Sequence, residues 1–178
     1  MIFRQLFDPV SSTYTYLLGC DESHDAVVID PVFEQFARDT ALIRELGLNV
    51  RYVLDTHVHA DHVTSAWLMR KSLKAEIVLS RRYGVAEVDV PVEHGDVLAF
   101  GNSSLMVLAT PGHTNGCPSC QVNSNQDPGM LPDDQQHSGH QAAQSRDQGE
   151  NSPPILKGDQ AGGVKQVQVA SQECDAQE

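Results

Sequence analysis

Over its first hundred positions the chain alternates short apolar runs with amphipathic stretches, and turn residues separate them. Residues 2–7 are short and apolar-rich, and 13–18 are β-branched and aromatic, so each predicts a strand, with Asp8-Pro9 and Ser11-Ser12 turning between them. Residues 26–30 form a solid apolar run closed by Pro31, the pattern of a strand buried on both faces. Residues 33–46 predict a helix. Phe33, Phe36, Ala37 and Ile43 would share one side, Arg38, Arg44 and Glu45 lie elsewhere, and Gly47 is placed to end it. A strand over 50–54 leads through a polar loop into a second helix over 63–73, for which Asp61 is a candidate N-cap. Strands at 76–79, 97–100 and 105–109 complete the series. Strands alternating with helices predict an α/β fold.

This grammar stops after Cys120. Residues 121–178 contain Asp127-Pro128-Gly129, Ser138-Gly139, Pro153-Pro154 and Gly162-Gly163, and their apolar residues fit neither the strand nor the helix period. Val164, Val167 and Val169 hint at one short strand. All ten aromatic residues lie within the first hundred positions, whereas twelve of the fourteen glutamines follow Cys120. The expected organisation is therefore a folded domain over 1–120 and a polar, Gln-rich tail over 121–178 that is disordered or weakly structured.

The net charge of −12 is shared by both parts, with 9 Lys and Arg against 15 Asp and Glu up to residue 120 and 3 against 9 beyond it. Neither part concentrates the positive charge that phosphate backbones require, so no nucleic-acid partner is expected. An acidic chain gains nothing from an anionic membrane surface. No apolar run approaches the about 20 residues of a membrane span. The opening residues lack a basic end followed by a long apolar stretch, which predicts no secretory signal. Four cysteines in this length make no disulfide scaffold, and the expected location is the reducing cytoplasm.

Candidate chemistry is concentrated where the strand over 50–54 runs into Asp55-Thr56-His57-Val58-His59-Ala60-Asp61-His62. Alternate residues of an extended segment point the same way, so His57 and His59 can grip one cation together. Asp61 and His62, after the chain turns, can face a neighbouring position. Imidazole suits zinc and iron, and a carboxylate adds charge, orients a water or holds a second metal. A second cluster, Thr110-Pro111-Gly112-His113-Thr114-Asn115-Gly116, again follows a strand, and its glycines permit a tight loop that presents His113. Ligands on loops at strand ends, brought together from distant sequence, are a usual way for an α/β scaffold to build a site. His24 and His94 stand alone, and Cys117-Pro118-Ser119-Cys120 is followed by neither a helix nor a second cysteine pair, so no role is assigned to them.

The His57–His62 string resembles the H-x-H-x-D-H signature of the metallo-β-lactamase superfamily, and Thr110-Pro111-Gly112-His113-Thr114 resembles its next metal motif. Within the superfamily, residues 3–19, Ile29-Asp30-Pro31-Val32 and Glu45-Leu46-Gly47-Leu48 are similar to the glutathione-persulfide dioxygenases, with the glyoxalase II thioester hydrolases as close relatives. The resemblance spans about residues 2–120. It implies an αββα sandwich, of which this chain supplies the N-terminal portion, with a metal at one edge of two facing sheets. In the dinuclear hydrolases, residues matching His57, His59 and His113 bind one metal and those matching Asp61 and His62 the other. In the persulfide dioxygenases one Fe(II) is held by residues matching His57 and His113 and by an aspartate further on, a two-His-one-carboxylate face. His59, Asp61 and His62 would then orient ligands and waters around it. The implied cofactor is Fe(II), with Zn(II) for the hydrolase alternative, where Asp61 helps hold the second metal. The implied substrate is a small thiol derivative, glutathione persulfide or a glutathione thioester.

Beyond His113 the family's Thr-Gly-Asp motif, source of the third iron ligand, has no counterpart at its usual distance. The nearest echo is Gly158-Asp159, preceded by Lys157, while Asp127, Asp133 and Asp134 lie nearer. The final family histidine, in a Pro-Ala-His context, is also absent, and only His137 and His140 mimic it by spacing. Loss of the coding frame near Cys120 would produce this abrupt change. With roughly one half of a two-half fold, an inner sheet face and strand edges are expected to stay open unless the tail or another chain, as in a homo-oligomer, covers them. Two further expectations follow: a metal-dependent enzyme of the persulfide dioxygenase type, or a non-catalytic metal-binding remnant.

Overall fold

The computed structural model describes residues 1–109, 118–124 and 167–169. Six strands build the first sheet: β1 (Ile2–Asp8), β2 (Thr13–Gly19), β3 (Asp25–Ile29), β4 (Asn49–Leu54), β5 (Glu76–Ser80) and β6 (Val90–Val92). They lie in chain order from β1 to β6. β1, β2 and β3 pair antiparallel, whereas β3, β4, β5 and β6 run parallel. Parallel neighbours need crossovers, and two of these are helices, α1 (Phe36–Glu45) and α2 (Ala66–Leu73). A second sheet of β7 (Val97–Phe100), β8 (Ser103–Ala109), β9 (Pro118–Ser124) and β10 (Val167–Val169) is antiparallel throughout, in the order β10-β9-β8-β7.

The first sheet is apolar on both faces, as its solid runs predict. Leu17, Ala26, Val28, Val50 and Val53 turn to one side, where Ile43 of α1 and Ala66 and Met69 of α2 cover them. Leu18, Val27, Ile29, Leu54 and Val78 turn to the other side and meet Leu98, Phe100, Leu105, Val107, Cys120 and Val122 of the second sheet. Val50 and Val53 are three apart yet share a face, against the two-residue period of a strand. The pairing explains this. Ala26 pairs with Val50 but Val27 with Tyr52, so Arg51 is an extra residue that bulges out and resets the alternation. The layers are helices, sheet, sheet, the mixed α/β sandwich expected. Among the described residues no helix covers the far face of the second sheet.

Local differences from the expected elements have identifiable causes. The segment expected to be helical from Phe33 opens as a single 3₁₀ turn over Phe33–Gln35, and the α-helix begins at Phe36. Its inward face is Phe36, Asp39, Thr40 and Ile43, while Phe33 and Ala37 are exposed; two polar residues in that stripe conceal it from hydrophobic periodicity. Gly47 ends α1 as expected. It adopts φ +63°, and Leu48 N–H donates to the Ile43 carbonyl and Gly47 N–H to the Arg44 carbonyl, the paired bonds of a Schellman ending. The second helix starts at Ala66 rather than near residue 63, and Asp61 does not cap it. Residue 64 forms a bridge with Val32, and Phe33 N–H takes the Val63 carbonyl, so this stretch is tied down in extended form.

β6 escapes sequence pattern because it is three residues long and holds Pro91, which an edge strand tolerates. The expected domain limit at residue 120 falls inside β9, which pairs with β8 along its whole length and runs on to Ser124 because Cys120 and Val122 both point into the core. From the tail, Val167 and Val169 do form a strand, which hydrogen-bonds the outer edge of β9. Tail residues thus cover one edge expected to stay open.

Three consequences are testable. Leu18 is fully buried between the sheets, so Leu18→Ala should cost about 2–5 kcal/mol in urea unfolding. Val97→Ala, on the half-exposed face of β7, should change stability by less than about 0.5 kcal/mol. Burial raises the Asp39 carboxyl above its ordinary 3.8, despite the hydrogen bond from Arg38. Between 3.8 and that raised value the folded protein keeps a proton that the unfolded chain has released, so this group's contribution to stability falls as pH rises through the window. Asp39→Asn should flatten that part of the stability profile.

Candidate metal centre

β3 and β4 run parallel, so their carboxyl ends lie side by side, and both lead directly into polar residues. Asp30 follows β3 with φ +49°, a left-handed conformation uncommon outside glycine but tolerated by Asp and Asn. That turn points its carboxylate at the loop leaving β4. Oδ1 accepts from the Thr56 backbone N–H at 2.7 Å and Oδ2 from the Thr56 hydroxyl at 2.8 Å. Oδ1 also accepts from His59 Nε2 at 3.0 Å. The backbone of Asp30 is itself fixed, its N–H donating to the Leu54 carbonyl and its carbonyl accepting from Thr15.

This arrangement selects the histidine's working nitrogen. A carboxylate only accepts, so the nitrogen facing Asp30 carries hydrogen, and in the neutral ring Nδ1 of His59 keeps the lone pair. Nδ1 lies 3.6 Å from Asp61 Oδ1. Burial opposes the charged form of His59, but the Asp30 hydrogen bond and the charges of Asp30, Asp55 and Asp61 outweigh it, and its pKa is raised. Asp55 sits beneath, accepting from the Thr64 hydroxyl at 2.8 Å. Burial first, and then the charge of Asp30, push its carboxyl up to about 7.

His57, His59 and Asp61 each offer a donor atom, all within 4.8 Å of one another. The rings of His57 and His59 are 4.1 Å apart and those of His59 and His62 4.2 Å. His62 places Nδ1 3.2 Å from Asp61 Oδ2 and is almost wholly buried. Burial alone would raise the Asp61 carboxyl, but the His62 hydrogen bond and the neighbouring imidazoles leave it lowered. Nε2 of His62 is buried with no hydrogen-bond partner among the described residues. Two imidazoles and a carboxylate within one donor cluster, beside a third imidazole whose Nε2 has no partner among the described residues, fit a divalent cation of the zinc and iron type.

The expected residues His57, His59, Asp61 and His62 are thus brought together. His113, Cys117, Asp127, Asp133, Asp134, His137, His140 and Asp159 lie outside the described residues. Sequence reasoning gave no site role to Asp30, Asp55, Thr13 or Thr64. Asp30 did carry a signal: an acidic residue directly after the apolar run over 26–29, on the sheet edge where the parallel neighbour leads into histidines.

Two facing sheets with helices outside, and an imidazole and carboxylate cluster beyond adjacent parallel strands, define a metal-binding α/β sandwich. Residues 8–125 match the metallo-β-lactamase superfamily, and the chain belongs to it. Membership implies a bound metal, which the donor set fits. The chain is 48% identical over 126 residues to the human (Homo sapiens) mitochondrial persulfide dioxygenase ETHE1, covering 70% of this chain and 49% of the relative. It is 32% identical over 124 residues to a hydroxyacylglutathione hydrolase of Polaromonas, covering 68% and 46%. The crystal structure of ETHE1 from Myxococcus xanthus superimposes with a TM-score of 0.65 at 48% identity, over 68% of this chain and 54% of that one. The chain spans about half the length of the curated relatives it matches.

Asp30 is the group on which the geometry turns. Asp30→Ala should destabilise the fold by about 2–5 kcal/mol in urea, because it strands the Thr56 and His59 donors. Asp30→Asn should cost less, since the amide keeps one acceptor oxygen and tolerates the left-handed backbone.

Proposed function

We propose that this site serves metal-dependent oxidation of glutathione persulfide to sulfite and glutathione. The observation that carries the reading is the 48% identity to a persulfide dioxygenase, in a family match that contains the whole His57–His62 string. Fe(II) would be held by His57 and His113 with a carboxylate, and it would supply the dioxygen chemistry that no side chain provides. His59, locked by Asp30, and Asp61 and His62 would orient ligands around it. The low-dielectric layer formed by Leu54, Ile29 and Val78 below the loop keeps bulk water from that side of the centre. The substrate would be a small thiol derivative; the acidic surface offers no phosphate-backbone site, and no helix among the described residues is long and apolar enough to cross a membrane. For location we propose a reducing compartment such as the cytoplasm, in keeping with the free, buried thiols of Cys20 and Cys120.

One observation favours a second reading. His62 Nε2, without a partner among the described residues, and the Asp61 carboxylate, which faces the ring's Nδ1, offer donors for a second metal, as a zinc-dependent thioester hydrolase of the glyoxalase II type requires.

The experiment is to purify the full chain, measure iron and zinc per protein, and assay oxygen uptake with glutathione persulfide beside cleavage of a glutathione thioester. The expected result is iron near one per chain and oxygen uptake, with metal reduced to background in His57→Ala. Zinc near two per chain with thioester cleavage overturns the first reading in favour of the second. Bound metal with neither activity overturns both and identifies a non-catalytic remnant.

A further inference from the structure

The turn between β1 and β2 reaches the metal loop through one side chain. Thr13 Oγ1 donates to Asp61 Oδ2 at 3.2 Å and lies 3.3 Å from His62 Nδ1. Behind it the Ser11 hydroxyl oxygen is 2.9 Å away, and Ser11 in turn contacts Asp8 Oδ2 at 2.7 Å through its hydroxyl and 2.8 Å through its backbone N–H. Asp8 is buried at the end of β1, and its other oxygen accepts from Gln35 at 2.7 Å. A chain of polar contacts therefore runs from Asp8 through Ser11 and Thr13 to Asp61 and His62, its Thr13–Asp61 link spanning 48 residues of sequence.

We propose that Thr13 is a positioning residue of the metal centre, which holds Asp61 and His62 in register and directs the His62 Nε2 lone pair into the site. The proposal rests on the metal-binding part of the reading above and not on its choice of substrate. A count of protons decides which nitrogen of His62 carries hydrogen. Asp61 Oδ2 and Asp8 Oδ2 accept only, and Ser11 and Thr13 bring one hydroxyl hydrogen each. Because the Ser11 backbone N–H already serves Asp8 Oδ2, the Ser11 hydroxyl can donate to Thr13 and the Thr13 hydroxyl to Asp61 Oδ2, which leaves only lone pairs on the Thr13 oxygen that faces His62. His62 Nδ1 lies within reach of Thr13 Oγ1 and Asp61 Oδ2, neither of which has a hydrogen left to give it. Nδ1 therefore donates, and in the neutral ring the lone pair stays on Nε2, the atom that is buried without a partner among the described residues. Asp61 alone would hold His62 less firmly, because its side chain is about a third exposed to solvent. Thr13 sits on a paired strand, opposite Asp8, so it supplies a fixed reference for both groups.

The test compares Thr13→Val, which keeps the shape and loses the hydroxyl, with Thr13→Ser, which keeps the hydroxyl. In the metal-free full chain, imidazole ¹⁵N shifts report which nitrogen of His62 carries hydrogen. The expected result is hydrogen on Nδ1 in the parent and in Thr13→Ser, and a mixture of tautomers in Thr13→Val. With Co(II) as the probe, Thr13→Val should bind about tenfold or more weakly, with an altered visible spectrum, and Thr13→Ser should recover to within a few-fold. A merely structural threonine would lower the melting temperature in both variants and leave the tautomer and spectrum alone. An unchanged His62 tautomer in Thr13→Val overturns the proposal, whatever metal or activity the chain shows. A correct tautomer with no persulfide oxidation instead counts only against the proposed reaction.

Discussion

The centre depends on one buried carboxylate that ties two strand ends together. Asp30 closes β3 in a left-handed turn and binds Thr56 twice and His59 once, just where β4 gives way to the histidine loop. A loop that leaves a sheet edge has many conformations, and fixing each residue costs about 1–2 kcal/mol. The Asp30 bonds spend that cost at two residues, one on either side of His57, so the first imidazole is set by its flanks. The same carboxylate chooses the tautomer of His59. Backbone strain at a single residue thus fixes loop position and ligand chemistry together, which is the form in which strain is usually kept at functional sites.

The rest of the architecture serves that junction. Because the first sheet is packed on both faces, the ends of β3 and β4 have no freedom to slide, and the bulge at Arg51 sets which side chains of β4 face the helices and which face the second sheet. Cys120 of β9 faces the same region; its thiol is pushed up to about 12 by burial and by the charge of Asp30, so it packs as a small apolar group rather than as a nucleophile. The second sheet therefore forms a dry floor beneath a polar loop. This contrast in polarity within a few ångströms strengthens every electrostatic contact on the loop.

Much of this was legible in the chain. The solid apolar runs declared strands buried on two faces, Gly47 declared the end of α1, and three histidines with an aspartate at alternating and turning positions declared the cluster. Other features were hidden because their signal is tertiary. The inner face of α1 carries Asp39 and Thr40, so its periodicity is masked by polar residues. β6 is short and holds a proline, and only its pairing with β5 makes it a strand. β9 owes its place to Cys120 and Val122 and to the full register with β8 rather than to its own sequence. Asp61 reads as a helix cap because it precedes an amphipathic stretch, but the bridge between Val32 and Thr64 holds the intervening residues extended and leaves the carboxylate to Thr13, His59 and His62. Thr13 lies 48 residues from Asp61, a separation that no local pattern can bridge.

The two chemical readings meet at His62. A buried lone pair on Nε2 carries a free-energy cost unless something donates to it or binds it. If the centre holds one metal on His57 and its partners, Nε2 must take a hydrogen bond from a water or from a bound substrate, and His62 becomes a recognition group. If it holds two, Nε2 becomes a ligand, and the geometry of Asp61 must relax toward the same ion. Thr13 is compatible with both, since it addresses Nδ1 and leaves Nε2 to the site. On these proposed readings the choice between oxidation and hydrolysis would lie in the number of ions bound, and not in the half of the centre that Asp30 holds and that Thr13 is proposed to hold.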